Sequence, residues 1–172
     1  RAEYADYYER GLWNNILATQ NPKTNMMGYF LAMAPGRWKY FCTPNRSFWC
    51  CTGTGMESHA KYGANIYLQG DAELYVNQFI ASELEWAQEN VTVRQETDFP
   101  ASARTRLTIE CPAPTYFALH VRRPYWTVDA PTVKVNGQVV EAEPSSDGYM
   151  TVEREWQDGD TMMVKLPMSL HT

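Results

Sequence analysis

The sequence predicts an α+β chain in which a helical N-terminal part is followed by an antiparallel β-sandwich. Three observations carry this. Apolar residues recur at helical spacing over residues 3–20 and again over about 55–68. From residue 72 the period changes to two. Asn136-Gly137, Asp147-Gly148 and Asp158-Gly159 then punctuate the second part as turns, with no helical pattern between them.

Within the first part, Tyr4, Tyr8, Leu12 and Ile16 stand four residues apart, and Asn21-Pro22 stops the helix they define. Residues 28–42 read as extended on either side of a Pro35-Gly36 turn, and residues 43–55 as a loop. The second helix carries Met56, Ala60, Ala64 and Tyr67 on one face. Thr54 stands three residues before Glu57, the pattern of a capping box. In the second part, Leu74 and Val76 alternate with Tyr75 and Asn77, Leu107, Ile109 and Cys111 with Arg106, Thr108 and Glu110, and Phe117, Leu119 and Val121 with Ala118, His120 and Arg122. Asn136-Gly137 joins Val133-Lys134-Val135 to Val139-Val140 as a hairpin, and Met162, Val164 and Leu166 close the series. The boundary between the two parts falls near Gly70-Asp71, giving segments 1–70 and 71–172.

The net charge of −5, without any basic run, argues against nucleic acid as a partner. No apolar stretch reaches membrane-spanning length. The chain begins at Arg1 inside a helical pattern and ends just after a strand-like run, so it reads as a piece of a longer protein. Aromatic residues make up 13% of it, a content that suits a large β core and also sugar-stacking surfaces.

Four cysteines occur, at 42, 50, 51 and 111, and two of them are adjacent, which does not resemble a disulfide framework. The Cys50-Cys51 pair lies in a glycine-rich loop ahead of a helix. Helix N-termini favour thiolates, because free N–H groups and the helix dipole stabilise negative charge there. Thiolate is the form that binds zinc and attacks electrophiles. The competing reading is a pair of small buried residues in a tight loop. No Cys-x-x-Cys or histidine-rich set accompanies the pair, so no familiar spacing completes a zinc site.

The run from Ser47-Phe48-Trp49-Cys50-Cys51-Thr52-Gly53-Thr54-Gly55 to Met56-Glu57-Ser58-His59-Ala60-Lys61-Tyr62-Gly63 resembles the signature of glycoside hydrolase family 127 and its relatives, the β-L-arabinofuranosidase-like enzymes. Tyr8-Glu9-Arg10-Gly11-Leu12-Trp13-Asn14-Asn15 is similar to the barrel helix that precedes that loop. Leu74-Tyr75-Val76-Asn77-Gln78-Phe79-Ile80 resembles the first sandwich strand. The resemblance implies that residues 1–70 are the C-terminal part of an (α/α)₆-barrel catalytic domain and residues 71–172 a β-sandwich that packs on the rest of the barrel. It implies retaining hydrolysis of a carbohydrate, a β-L-arabinofuranoside, by a cysteine nucleophile in place of the usual carboxylate. Carried over residue by residue, Cys50 is nucleophile and zinc ligand, and Cys51 is a second zinc ligand. The other ligands, a glutamate and a cysteine, and the general acid, also a glutamate, belong to an upstream segment, so the zinc site here is incomplete. Phe48 stands where some members carry a further cysteine, and the glycine-threonine loop departs from a proline-containing version.

Three further residues are candidate substrate contacts. Trp49 adjoins Cys50 and offers a stacking face, or serves as a core aromatic. Glu57 faces the site from the first helical turn, or caps that turn and pairs with Lys61. His59 lies beside the apolar face of the helix, where a structural or solvated role competes with substrate contact. Cys42 reads as an ordinary thiol, and Cys111 as part of a strand's apolar face. The rival to the enzyme reading is a carbohydrate-binding or purely structural β-sandwich module.

Overall fold

The computed structural model describes residues 1–169, so residues 170–172 of the terminal run lie outside the described part. The chain divides into two compact units, one of residues 6–64 and one of residues 1–5 together with residues 65 onward. Among the described residues no helix is long and apolar enough to cross a membrane.

The first predicted helix is present but changes character along its length. It opens as α1 (Ala2–Gly11), widens into a π-type turn over Leu12–Ile16, and tightens into a 3₁₀ turn over Leu17–Thr19. The change begins after Gly11, where Trp13, Asn14 and Asn15 are all weaker helix formers than Ala or Leu. Asn21 Oδ1 then accepts from the backbone N–H of Lys23 at 2.9 Å and of Thr24 at 3.3 Å, an Asx turn that diverts the chain. Residues 28–42 form no strand. They contribute the bridge of Gly28 with Phe41, across a turn in which Gly36 takes φ +74°, and Gln20 bridges Met27 just before them.

The second helix differs from its expectation at both ends. α2 spans Cys50–Ala60, five residues earlier than the pattern predicts, and Trp49 is its N-cap, without a side-chain cap bond. Thr54 therefore lies inside the helix, where its carbonyl accepts from Ser58 Oγ at 3.0 Å, and the expected Thr54–Glu57 capping box does not form. The expectation failed because Gly53 and Gly55, each about 1 kcal/mol less favourable than Ala in a helix, read as loop residues. Packing explains Gly55: a Cβ there would stand 2.4 Å from Met27 Cε. At the other end a 3₁₀ turn over Tyr62–Asn65 closes the helix, and Tyr67, expected on its apolar face, belongs to a strand.

The β unit contains β1 (Tyr67–Gln69), β2 (Glu73–Val76), β3 (Ser82–Trp86), β4 (Val91–Thr97), β5 (Arg104–Glu110), β6 (Thr115–Arg122), β7 (Thr132–Val135), β8 (Gln138–Val140), β9 (Tyr149–Trp156) and β10 (Thr161–Lys165). They form a four-stranded sheet, β1-β2-β6-β9, and a six-stranded sheet, β3-β4-β5-β10-β7-β8. Every pairing is antiparallel except β2 with β6, which is parallel and corrects the purely antiparallel expectation. The parallel pair arises because the chain leaves the first sheet after β2, builds β3, β4 and β5 in the second, and returns as β6.

The two sheets share one core. Leu74, Val76, Phe117, Leu119, Val121 and Met150 come from one sheet, and Val93, Leu107, Ile109, Val133, Met162 and Val164 from the other. Burying each such side chain contributes about 1.5–3 kcal/mol. Trp156 donates its indole N–H to Phe117 O at 3.1 Å while stacking on the Phe117 ring, so its one polar atom is satisfied inside the core. The hairpin at Asn136-Gly137 joins β7 to β8, both turn residues having positive φ, as a type I′ turn requires. The crossing between the sheets at residues 77–81 is pinned by buried amides: Gln95 Nε2 donates to Gln78 O at 3.1 Å and to Ile80 O at 3.0 Å. Arg122, fully buried, donates from Nε to Asn77 O at 2.7 Å and sets its guanidinium 5.4 Å from the Phe79 ring centre.

Candidate active site

Because α2 begins at Cys50, both adjacent cysteines stand in its first turn, at the positive end of the helix dipole. Cys50 is exposed and Cys51 half-buried, and neither is in a disulfide. Their sulfurs lie 3.9 Å apart. The Tyr29 hydroxyl approaches Cys50 Sγ at 3.8 Å. Residues 28–42 deliver Tyr29 to this position through the Gly28–Phe41 bridge, and Met27 packs against Gly55 one turn farther along α2.

The three groups polarise one another. The Tyr29 hydroxyl, followed by the Cys51 thiol, holds Cys50 below the ordinary thiol value. Cys51 is pushed up, first by its partial removal from water and then by Cys50. Tyr29 is raised in turn, chiefly through its contact with Cys50. One sulfur of the pair is thereby favoured as the anion, and it is the more exposed one.

Two thiolates each about 2.3 Å from a tetrahedral zinc ion stand about 3.8 Å from one another. The observed 3.9 Å separation therefore fits a pair of ligands on one ion. Among the described residues no group of three or more His, Cys, Asp or Glu side chains converges to hold a metal. Cys42 is buried elsewhere in this unit, accepting from the Met27 backbone N–H at 3.4 Å.

Beside the thiol pair lies an apolar hollow of about 670 Å³, lined by Tyr29, Phe30, Met33, Trp38, Tyr40 and Trp49 among others. Trp49, 37% exposed, meets the Tyr29 ring edge-on with centroids 5.9 Å apart, so one of the three predicted substrate contacts stands at the site. The other two do not adjoin the sulfurs. Glu57 is exposed on α2 and makes no ion pair with Lys61. His59, nine residues after Cys50, lies about 13 Å along the helix axis. Its Nδ1 is hydrogen-bonded to the Tyr62 hydroxyl at 2.5 Å, and its Nε2 is buried without a hydrogen-bond partner. Tyr29 was absent from the sequence-derived set: it sits in an aromatic stretch without periodicity, and nothing in its neighbours singles it out.

Comparison with known proteins agrees with the segment carrying the cysteines. Residues 1–64 match the family model described as β-L-arabinofuranosidase, GH127 catalytic domain. Residues 73–168 match that described as β-L-arabinofuranosidase, GH127 middle domain. Among solved structures the chain is similar to a GH127 β-L-arabinofuranosidase from Geobacillus stearothermophilus T6, with TM-score 0.81 and 28% identity over 99% of this chain and 29% of that one. A structure titled glycoside hydrolase shares the fold at TM-score 0.81 and 23% identity, over 98% of this chain and 29% of its own. A GH127 β-arabinofuranosidase does so at TM-score 0.77 and 23% identity, over 96% and 28%. The chain thus spans under a third of the length of these solved relatives. No curated protein matches it.

Proposed function

Since the chain belongs to the GH127 β-L-arabinofuranosidase family, we propose that it is the part of a retaining glycoside hydrolase that joins the catalytic to the middle domain, that the nucleophile is Cys50 and that the substrate is a β-L-arabinofuranoside. In this reading residues 1–70 complete an α/α-barrel catalytic domain, and residues 71–172 are the β-sandwich that packs on the rest of that barrel. The observation that carries the proposal is the triad of Cys50, Cys51 and Tyr29, with both sulfurs in the first turn of α2 and the tyrosine hydroxyl 3.8 Å from the exposed one.

Each residue has a role that its surroundings support. Cys50 Sγ attacks the anomeric carbon, forming a C–S bond as the glycosidic C–O bond breaks. The leaving oxygen takes a proton from an acid outside this chain, the upstream glutamate that the family resemblance implies. Water, giving one proton back to that glutamate, then attacks the same carbon, the C–S bond breaks, and Cys50 returns as the anion. The Tyr29 hydroxyl accepts from the Cys50 thiol at 3.8 Å; once the thiol is ionised the same hydroxyl turns to donate to Sγ, stabilising the thiolate before attack and after release. Trp49 and the aromatic hollow offer apolar faces to the sugar and to the group it leaves. Cys50 and Cys51 would together hold zinc, which when bound lowers the thiol pKa and orients the sulfur.

The test is hydrolysis of an aryl β-L-arabinofuranoside by the full-length gene product and two variants. Cys50→Ser loses turnover while circular dichroism stays native, because the serine hydroxyl is far less acidic. Cys51→Ser loses less, since it removes only a metal ligand. Near-normal turnover by folded Cys50→Ser would refute the assignment.

A further inference from the structure

The outer face of the six-stranded sheet carries a concentration of positive charge that the proposed glycosidase chemistry does not use. Leu107, Val133, Met162 and Val164 point into the core, so their strand neighbours Arg104 and Arg106 on β5, Lys134 on β7, and Met163 and Lys165 on β10 point outward. The register brings them together. Lys165 lies directly opposite Arg104, and Met163 stands between Arg106 on one side and Lys134 on the other. These side chains, with Thr132 and Thr161, line a groove of about 380 Å³.

Like charges directly opposite each other on neighbouring strands are destabilising. They stand here in a chain whose net charge is −5. The same sheet face shows how cations are paired elsewhere: Arg94 is braced between Glu83 at 2.9 Å and Glu110 at 3.2 Å. Of the groove's cations, among the described residues, only Arg106 has a carboxylate within ion-pair distance, Glu96 at 4.0 Å. Among the described residues Arg104, Lys134 and Lys165 form no ion pair. Beyond Arg104 the acidic residues Glu96 and Asp98 bound the groove at one end, so the positive charge is local and directional.

We propose that this groove is a docking surface for a carboxylate-bearing (uronate-type) polysaccharide, through which the protein binds an acidic glycan with residues other than the thiol pair. Two guanidinium groups and two ammonium groups present fork-like and point-like donors to carboxylates, while the threonine hydroxyls and the apolar Met163 suit sugar hydroxyls and C–H faces. The groove contains no aromatic side chain on which a nucleobase would stack, which separates it from single-stranded nucleic-acid surfaces. The cationic groove stands on geometry alone; the choice of a polysaccharide among polyanions rests on the glycosidase reading.

The experiment is affinity electrophoresis of this chain through gels containing polygalacturonate, neutral arabinan or no polymer, with a parallel titration against duplex DNA. The expected result is retardation by polygalacturonate alone, weakening as salt is raised. The surface double variant Arg104→Gln/Lys165→Gln, checked for folding by circular dichroism, should bind about tenfold more weakly. The control Arg94→Gln, whose partners lie outside the groove, should bind as the parent does. Failure of polygalacturonate to retard the chain, equal retardation of the double variant, or DNA binding as tight as polygalacturonate binding would overturn the proposal. Because binding is read without turnover, none of these results bears on Cys50, and an active Cys50→Ser enzyme would leave the groove untouched.

Discussion

Met27 Cε occupies the space that a side chain at Gly55 would need, at 2.4 Å from an ideal Cβ. Met27 is buried, but the atom in the way is the free end of a flexible side chain, which would have to swing aside. This contact ties the chain before Tyr29 to the helix that begins at Cys50. Gly55→Val should therefore destabilise the chain by about 1 kcal/mol, the low end of the usual cost of overpacking. Met27→Ala should recover part of that loss in the double variant. Thermal melts of the two single variants and the pair form the required cycle. A strictly additive result would show that the two positions are independent.

His120 makes the β unit sensitive to mild acid. Its ring stacks on Tyr75 with centroids 4.2 Å apart, and Nδ1 is hydrogen-bonded to Thr151 Oγ1 at 2.8 Å. Burial pulls its pKa below 6.5 despite the opposing pull of Glu73, Asp147 and Glu153. Glu73 is the nearest of these, 3.9 Å from Nε2, which is beyond hydrogen-bond range and leaves that nitrogen without a hydrogen-bond partner. The folded state thus prefers neutral histidine. Its contribution is fully present above pH 6.5, the ordinary value, and is lost as pH falls through the window beneath it. Asp147 and Asp160, both held below the ordinary carboxylate value, add an acid limb at lower pH. The difference in stability between parent and His120→Asn, followed by denaturant titration from about pH 7.5 to 5, isolates the histidine. It should narrow in favour of the variant as pH falls; a pH-independent difference would disprove the assignment.

Thr52 presents the opposite case, a polar atom whose removal should help. It is 4% exposed, and its Oγ1 has no hydrogen-bond partner. Thr52→Val keeps the shape and helix propensity nearly unchanged while relieving that unsatisfied hydroxyl. A stabilisation of about 1 kcal/mol is expected, a rise in melting temperature of about 2–4 °C for a chain of this size. A lowered melting temperature would mean that the hydroxyl is hydrogen-bonded in solution.

The parts legible in the sequence were those written in a single local period. Leu74 with Val76, Leu107 with Ile109, and Phe117 with Leu119 and Val121 all face the shared core as their alternation indicates. Asn136-Gly137 makes its turn because both residues tolerate positive φ. β4 was missed because its buried face runs Val91, Val93, Gln95, and the amide at the third position serves the crossing between sheets rather than the core. The parallel β2–β6 pair left no trace, since it joins strands some forty residues apart in the chain. The start of α2 was hidden by Gly53 and Gly55, of which Gly55 alone has a tertiary contact, with Met27, where a side chain would stand. At the site, the adjacent cysteines announced themselves, whereas Tyr29 reaches Cys50 through a bridge that no periodic pattern encodes.

Zinc offers the most direct measure of how much of the site this chain carries. Cys50 and Cys51 are spaced to share one ion, yet no third His, Cys, Asp or Glu converges with them among the described residues. Structural zinc sites use four protein ligands, and each ligand left to water weakens retention. After dialysis against metal-free buffer the chain should therefore keep well under one equivalent of zinc by elemental analysis. With excess cadmium it should still show thiolate-to-metal absorption, because two sulfurs suffice for a weak complex, and Cys50→Ser/Cys51→Ser should abolish that band. Buried Cys42 and Cys111 serve as internal controls, since they remain in the double variant. Stoichiometric zinc held by a monomer would show that this segment supplies further ligands of its own, and a cadmium band that survives the double variant would place the metal at another cysteine.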